Sequence, residues 1–177
     1  MPHTHSSPAH PTRHSPAHPT LARPSVPRRS PDRRSIVAVD LENLVGGSDA
    51  PLERVASELE QLHRVVPGPH HWVVAVGPTM LTTAMPVLGR HRVLLGRGND
   101  GADRRLVEVL QPDEVVGRYA AVVLVSGDGR AFTEVVRQLA AEGVPTDVVA
   151  PADQIGHSLR ASARSFTAFE SSFAIAA

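Results

Sequence analysis

The sequence predicts an α/β protein, a three-layer α/β/α sandwich with a mainly parallel, doubly wound sheet. Three observations lead to this fold class. Short runs of valine, leucine and isoleucine lack alternating polar residues, which is typical of strands buried on both faces. Segments with helical spacing alternate with these runs along the chain. Right-handed crossovers between parallel strands then place helices on both faces of the sheet.

Strands and helices alternate through the first half of the predicted domain. Residues 35–41 (SIVAVDL) form a short apolar run with β-branched residues, which predicts a buried strand. Residues 52–66 carry leucine and valine at helical spacing after a proline, which suits the first turn of a helix. Residues 71–77 (HWVVAVG) predict a second strand. Residues 79–88 predict a short helix that ends or bends near Pro86.

The alternation continues in the second half. Residues 91–96 (HRVLLG) predict a third strand, and a polar loop after it opens a helix near Ala102. Residues 120–126 (AAVVLVS) form the most apolar of the predicted strands. The remaining predicted elements are a helix at 130–143, a strand at 145–151, a helical piece near 153–163 and an edge strand within 165–173.

Residues 1–34 differ from the domain at 35–177 that follows them. They hold eight prolines, five histidines and six arginines against one acid, and few large apolar side chains. Such a segment buries too little surface to offset its ordering entropy, so a disordered basic arm is predicted. The arm is a linker, an electrostatic arm that contacts nucleic acid without sequence specificity, or a weak metal tether through its histidines. The domain itself, with 12 arginines and 17 acids, is mildly acidic.

Composition excludes several classes of protein. The chain has no cysteine, so disulfides and thiolate metal sites are excluded. No apolar run approaches the roughly 20 residues that span a bilayer, and no apolar segment typical of a secretory signal is present. We therefore expect a cytoplasmic protein that does not contact membranes.

Polar side chains follow two predicted strands and open one helix. Asp40, Glu42 and Asn43 follow the first strand, Asp103 lies at a helix start, and Asp128 follows the fourth strand. Ligands of doubly wound sheets bind outside the carboxyl ends of the strands, where these residues are expected to meet. Carboxylates that meet repel each other unless a divalent cation lies among them. Oxygen ligands favour Mg²⁺ or Mn²⁺, and phosphodiester hydrolysis is the natural reaction of such a site.

Each of these residues also has a simpler explanation when it is taken alone. Asp40 suits a solvated strand end, and Asn43 suits a turn. Asp103 suits the first turn of a helix, and Asp128 suits a helix cap. The joint placement of these residues at one edge of the sheet favours a shared site.

Three motifs carry a resemblance to a known family. The segments VAVDLENL, DGADRRLVEVL and VVLVSGDGRAF, in this order and spacing, resemble the NYN domain of the PIN-like nuclease superfamily. The resemblance covers about residues 35–150. It implies a metal-dependent ribonuclease that acts on RNA and has a small acidic metal site.

The resemblance also implies roles for individual residues. Asp40, Asp103 and Asp128 are implied as the metal ligands and catalytic carboxylates. Asn43 is implied to orient water or substrate, and Ser126 is implied to lie beside the metal-bound phosphate.

One position departs from the family pattern. Arg130 stands where a second aspartate usually follows the Asp128 equivalent. Because a cation there weakens a second metal position, we expect one tightly held ion. Arg130 either contacts the scissile phosphate or points to solvent. Asp100 either supplies the missing acid or is simply a loop residue.

Three arginines near the acidic loop are candidates for substrate binding. Arg97, Arg104 and Arg105 either line a rim that follows RNA phosphates or form a solvated face. Trp72 is expected to pack in the core. His70 and His71 precede a strand and are not expected to be metal ligands.

The sequence therefore favours a Mg²⁺- or Mn²⁺-dependent ribonuclease. The alternative is a catalytically weakened PIN-like module that binds RNA or a protein partner, which Arg130 motivates. A phosphatase or nucleotide-binding enzyme is disfavoured, because the chain has no lysine for a phosphate-binding loop and no Asp-x-Asp after its first strand.

Overall fold

The structure is a computed structural model in which residues 34–171 are described. Of the predicted basic arm, only Arg34 lies within these residues, and its carbonyl oxygen accepts a hydrogen bond from the Ala120 amide at 3.2 Å. The rest of the arm and residues 172–177 lie outside the described part of the chain.

Six strands and seven helices lie within residues 34–171. The strands are β1 (Ile36–Asp40), β2 (His71–Val76), β3 (Arg92–Leu95), β4 (Val122–Val125), β5 (Thr146–Ala150) and β6 (Ser165–Ala168). The helices are α1 (Leu41–Val45), α2 (Leu52–Val65), α3 (Pro78–Leu88), α4 (Gly101–Val109), α5 (Pro112–Val115), α6 (Gly129–Ala141) and α7 (His157–Ser162).

All six strands are parallel and form one sheet in the order β3-β2-β1-β4-β5-β6. The chain winds outward from β1 in one direction and then from β4 in the other. The winding therefore reverses between β1 and β4, which is where doubly wound sheets bind ligands. The predicted fold class is confirmed.

Two apolar layers cover the sheet because alternate residues of each strand point to opposite faces. Val37 and Val39 of β1 pack in the layer that contains α1, α2 and α3. Ile36 and Ala38 of the same strand pack in the layer that contains α4, α5, α6 and α7. Both faces are buried, which explains why the strands appear in the sequence as unbroken apolar runs.

Three details differ from the sequence-based expectation or refine it. Helix α3 includes Pro86, which donates no amide hydrogen bond to the preceding turn, and ends two residues later at Leu88. Helices α1 and α5 are too short to show a periodic pattern and were not predicted. Helix α7 begins at His157, four residues later than the predicted piece.

Within the described chain, no helix is long and apolar enough to cross a bilayer.

The register of the sheet brings the ends of β1 and β4 together. Val39 of β1 lies opposite Val125 of β4, so the next residues, Asp40 and Ser126, emerge side by side at the carboxyl edge. Helix α4 reaches the same edge because Gly96, just after β3, allows close approach. A methyl group on Gly96 would lie 2.1 Å from the amide nitrogen of Ala102.

We predict that Gly96→Ala lowers the free energy of unfolding by about 3 kcal/mol, because the added methyl overlaps backbone atoms that cannot rotate away. Urea denaturation measures the change. Gly143→Ala is the control, since its methyl meets nothing within 4 Å and adds only the strain of a φ of +72°, about 1 kcal/mol. Equal losses in the two variants would contradict the close contact.

Candidate active site at the carboxyl edge of the sheet

Asp40 is the most buried acid of the site. It ends β1, caps α1, and exposes only 5% of its surface. Its Oδ1 atom accepts a hydrogen bond from the Asn43 amide at 3.3 Å. Its Oδ2 atom accepts one from the Ser126 hydroxyl at 3.1 Å. The carboxyl is thus fixed from both sides, and the second bond joins the ends of β1 and β4.

Asn43 and Ser126 tie the loops after β1 and β4 to each other. The Asn43 Oδ1 atom accepts a hydrogen bond from the Gly127 amide at 2.9 Å. The Ser126 Oγ atom accepts one from the Asp128 amide at 3.2 Å. The sequence offered a turn as the simpler role for Asn43, but the side chain sits in α1 and holds the opposite loop. Its NH₂ group remains a donor for a ligand.

Asp128 caps helix α6 with one of its two oxygens. Its Oδ1 atom accepts hydrogen bonds from the amides of Arg130 at 2.7 Å and Ala131 at 3.3 Å. The Oδ2 atom has no hydrogen bond to any residue within 34–171. Capping and ligand binding are therefore compatible at Asp128, because they use different oxygens.

Asp103 brings a third carboxylate from the first turn of α4. Its pKa is raised, first by burial and then by the charge of Asp128, with smaller contributions from Asp100 and Glu42. Burial and the neighbouring Asp103 raise the pKa of Asp40 to about 7, against an ordinary value of 3.8. In the absence of a cation, Asp40 is therefore partly protonated near neutral pH.

These residues line one small hollow of about 240 Å³, which we call the acidic hollow. Its lining contains Asn43, four glycines, Ala102 and five acids, which are Asp40, Glu42, Asp100, Asp103 and Asp128. No arginine or histidine lines it. The four glycines add no side chains to the hollow. One of them, Gly77, donates its amide to Glu42 Oε1 at 3.2 Å.

Two larger hollows adjoin the acidic hollow at Asp128. The first, of about 560 Å³, extends along α4 and is lined in part by Arg104, Glu108 and Arg130. The second, of about 540 Å³, extends over the loop before α7 and is lined in part by Arg130 and His157. The three hollows share Asp128, and together we call them the groove.

The structure brings most of the predicted site residues together. Asp40, Asn43, Asp103 and Asp128 line the acidic hollow, and Ser126 lies buried directly behind it. The predicted arginines differ in their position relative to the hollows. Arg130 is exposed and lines both larger hollows, Arg104 lines one of them, and Arg105 lines none of the three.

The two arginines of α4 have local partners. Arg104 donates to the carbonyl oxygens of Asn99 at 2.6 Å and Arg97 at 3.1 Å, so it holds the loop before α4. Arg105 forms an exposed ion pair with Glu108, one turn further along the helix. Of the predicted phosphate rim, Arg104 therefore faces the groove while Arg105 does not.

The loop before α7 is a part of the site that the sequence did not indicate. The Gly156 amide donates to the Gly127 carbonyl at 3.0 Å, which places His157 and Ser158 along the groove. The signal that could have found this loop is strand order. Because β5 pairs with β4, the loops after the two strands must be neighbours.

The residues of the acidic hollow fit a hard divalent cation by their chemistry. In their present positions, no three His, Cys, Asp or Glu side chains within residues 34–171 are arranged to hold a metal ion. The donors are nevertheless all oxygens, no basic side chain lines the hollow, and burial together with the charges of neighbouring acids raises the pKa values of Asp40 and Asp103. A cation relieves the repulsion among these acids.

Comparison with known proteins supports the fold and leaves the chemistry open. No protein-family model and no curated protein matches the sequence. A solved structure of a protein of unknown function from Vibrio parahaemolyticus RIMD 2210633 is similar, with a TM-score of 0.53 and 19% identity over 81% of this chain and 97% of that one. A short-chain dehydrogenase/reductase (wide type) from Veillonella parvula DSM 2008 in complex with NADP aligns with a TM-score of 0.36 and 11% identity, over 75% of this chain and 61% of that one. The first likeness concerns the fold alone, and the second is too distant to bear on this chain.

We predict that the metal-free protein loses stability as the pH rises from about 4 to about 7. The folded state binds a proton at Asp40 up to a pKa of about 7, whereas the unfolded chain releases it near 3.8. The folded state then holds more protons over this range, so the free energy of unfolding falls with pH. The contribution is on the order of 3 kcal/mol.

Urea denaturation at a series of pH values in the presence of a chelator measures this loss. Asp40→Asn removes the titrating group, keeps an oxygen for the Asn43 amide, and should flatten the profile. A variant whose stability falls with pH as steeply as that of the wild type would show that Asp40 does not titrate in this range.

Proposed function

We propose that this protein is a Mg²⁺- or Mn²⁺-dependent ribonuclease of the NYN type in the PIN-like superfamily, a hydrolase of RNA phosphodiester bonds. One observation carries the proposal. Asp40, Asn43, Asp103 and Asp128 come from three distant parts of the chain and line one hollow at the reversal point of the sheet. The matching motifs of the sequence support the same activity.

The carboxylates of Asp40, Asp103 and Asp128 would hold the ion. The bound ion supplies Lewis acidity, which activates water and neutralises negative charge at the phosphorus. Asp40 contributes a pre-oriented ligand, since hydrogen bonds from the Asn43 amide and Ser126 fix both of its oxygens. Each oxygen keeps a second lone pair for a cation.

Asn43 and Asp128 have the free groups that substrate positioning requires. The Asn43 side chain uses its oxygen for the Gly127 amide, so its NH₂ group can donate to a phosphate oxygen or to the attacking water. Asp128 uses Oδ1 for the helix cap, so Oδ2 remains available to the metal ion. These fixed groups orient the reactants without further ordering during the reaction.

The groove on either side of the acidic hollow suits a polyanion. Arg130 lies exposed where the two larger hollows meet, next to Asp128. A guanidinium group there can bind a phosphate adjacent to the one that is cut. This position suits a role for Arg130 in substrate binding. A cation at this position also disfavours a second metal ion, which agrees with the expectation of one tightly held ion.

A second candidate function is a PIN-like module that binds RNA or a protein partner and has weakened catalysis. Two observations favour it. A cation replaces the second family acid at Arg130, and no three acids within residues 34–171 lie in a ready metal arrangement. Metal uptake and RNA cleavage separate the two candidates.

We predict that Asp128→Asn reduces metal-dependent RNA cleavage on the order of 100-fold or more, because it removes one negative charge from the metal site. Asparagine also caps helices, so the variant should keep its fold. Cleavage of a labelled single-stranded RNA in Mn²⁺ measures the loss, and thermal unfolding checks the fold. The control is Asp113→Asn, the same change at an exposed position in α5.

Calorimetry with Mn²⁺ completes this experiment. The ribonuclease should take up one ion per chain, and Asp128→Asn should bind it more weakly. Cleavage by Asp128→Asn at the wild-type rate would refute the assigned site. RNA binding by both proteins, with neither cleavage nor ion uptake by the wild type, would favour the binding module.

We predict that Arg130→Gln raises the KM for RNA about fivefold and leaves kcat nearly unchanged, because a phosphate contact away from the reacting bond is lost. The slope of log affinity against log salt should fall by about 0.7. Arg137→Gln, an exposed change further along α6, is the control. An unchanged KM and slope would mean that Arg130 points to solvent.

A further inference from the structure

A second hollow lies at the opposite edge of the sheet, where β1, β2 and β3 begin. We call it the basic hollow, and it encloses about 400 Å³. Its cationic side chains are Arg34, Arg90 and Arg92. Its ring side chains are His70, His71, Trp72 and His91. No acid lines it. The length of β1 separates it from the acidic hollow by roughly 15 Å, at about 3.3 Å per strand residue.

The three guanidinium groups of the basic hollow lack partners. None of them has a hydrogen bond or ion pair with any other residue in the described range. Elsewhere in that range, four arginines pair with carboxylates, namely Arg64, Arg105, Arg118 and Arg164. Three like charges that share a hollow without a counter-charge repel each other, and a bound anion would relieve that repulsion.

The histidines supply the second observation. The Nδ1 atoms of His70 and His91 are buried and have no hydrogen-bond partner within residues 34–171. Such orphaned polar atoms are uncommon in folded proteins. The His70 Nε2 atom lies 3.0 Å from the Pro67 carbonyl, to which it donates.

Trp72 and His91 line the basic hollow, and the His63 ring packs against both of them. The Trp72 ring centroid lies 4.2 Å from that of His63 and 5.5 Å from that of His91. The two imidazoles stack on each other at 5.1 Å. Because Trp72 is only 9% exposed, it packs in the core as the sequence predicts and backs the hollow without serving as a free stacking surface.

We propose that the basic hollow is a second ligand site, which binds a phosphate group through Arg34, Arg90 and Arg92. Guanidinium groups suit this ligand because their planar pairs of N–H donors match the spacing of phosphate oxygens. The phosphate belongs either to an RNA strand or to a free nucleotide or phosphate ion. The proposal does not depend on cleavage at the acidic hollow.

Fluorescence of Trp72, the single tryptophan of the chain, reports on this site directly. The full chain is titrated in a chelator, so that no RNA is cut, with inorganic phosphate, AMP and a short single-stranded oligoribonucleotide. Chloride at matched ionic strength is the control ligand. The variants are Arg90→Gln and Arg92→Gln, both at exposed positions, and Arg137→Gln is the matched control outside the hollow.

Each variant should raise the dissociation constant about fivefold to tenfold relative to Arg137→Gln. Binding of phosphate or AMP that the variants weaken identifies a free anion as the ligand. Binding of the oligonucleotide alone, with a salt slope reduced by about 0.7 in each variant, identifies a strand phosphate. Affinities of Arg90→Gln and Arg92→Gln that match Arg137→Gln for every ligand would overturn the proposal.

Thermal unfolding verifies that the variants are folded. Asp128→Asn, at a residue that does not line the basic hollow, should bind these ligands at the basic hollow as the wild type does. An outcome at one hollow can therefore be told apart from an outcome at the other.

Discussion

The burial of the Asp40 carboxyl between the ends of β1 and β4 is the constraint on which the site depends. A carboxylate that loses its water needs other donors, and the Asn43 amide and the Ser126 hydroxyl supply them. The bond from Ser126 can form only if β1 and β4 are neighbours and end at the same level. The strand order and register meet this condition, so the geometry of the site is a consequence of the sheet.

Two helices begin beside this carboxyl, and each begins at an acid. Asp40 caps α1 and Asp128 caps α6, so the positive ends of two helix dipoles face the acidic hollow. Peptide groups therefore offset part of the repulsion among the acids before any ion binds. Burial and the remaining repulsion from neighbouring acids raise the pKa values of Asp40 and Asp103.

The sequence predicted what depends on local pattern and on general rules of parallel sheets. Buried apolar runs located the strands, and Asp40 and Asp128 followed from their positions just after two of them. The bond from Gly127 to Asn43 and the approach of the loop before α7 join residues far apart in the chain, so no local pattern reveals them. Helix α1 has five residues, too few to show a period. The basic hollow could not be predicted without the strand order, since its arginines come from two distant segments.

The two oxygens of the Asp128 carboxyl have different roles, and this difference affects how related sequences should be interpreted. An alanine at this position would remove both the helix cap and the charge, and selection for folding alone would act against it. An asparagine would keep the cap and remove only the charge. Under the proposed function, relatives that lost cleavage yet kept their scaffold should therefore carry asparagine here, which makes one column of an alignment a marker of whether a lineage still cuts RNA.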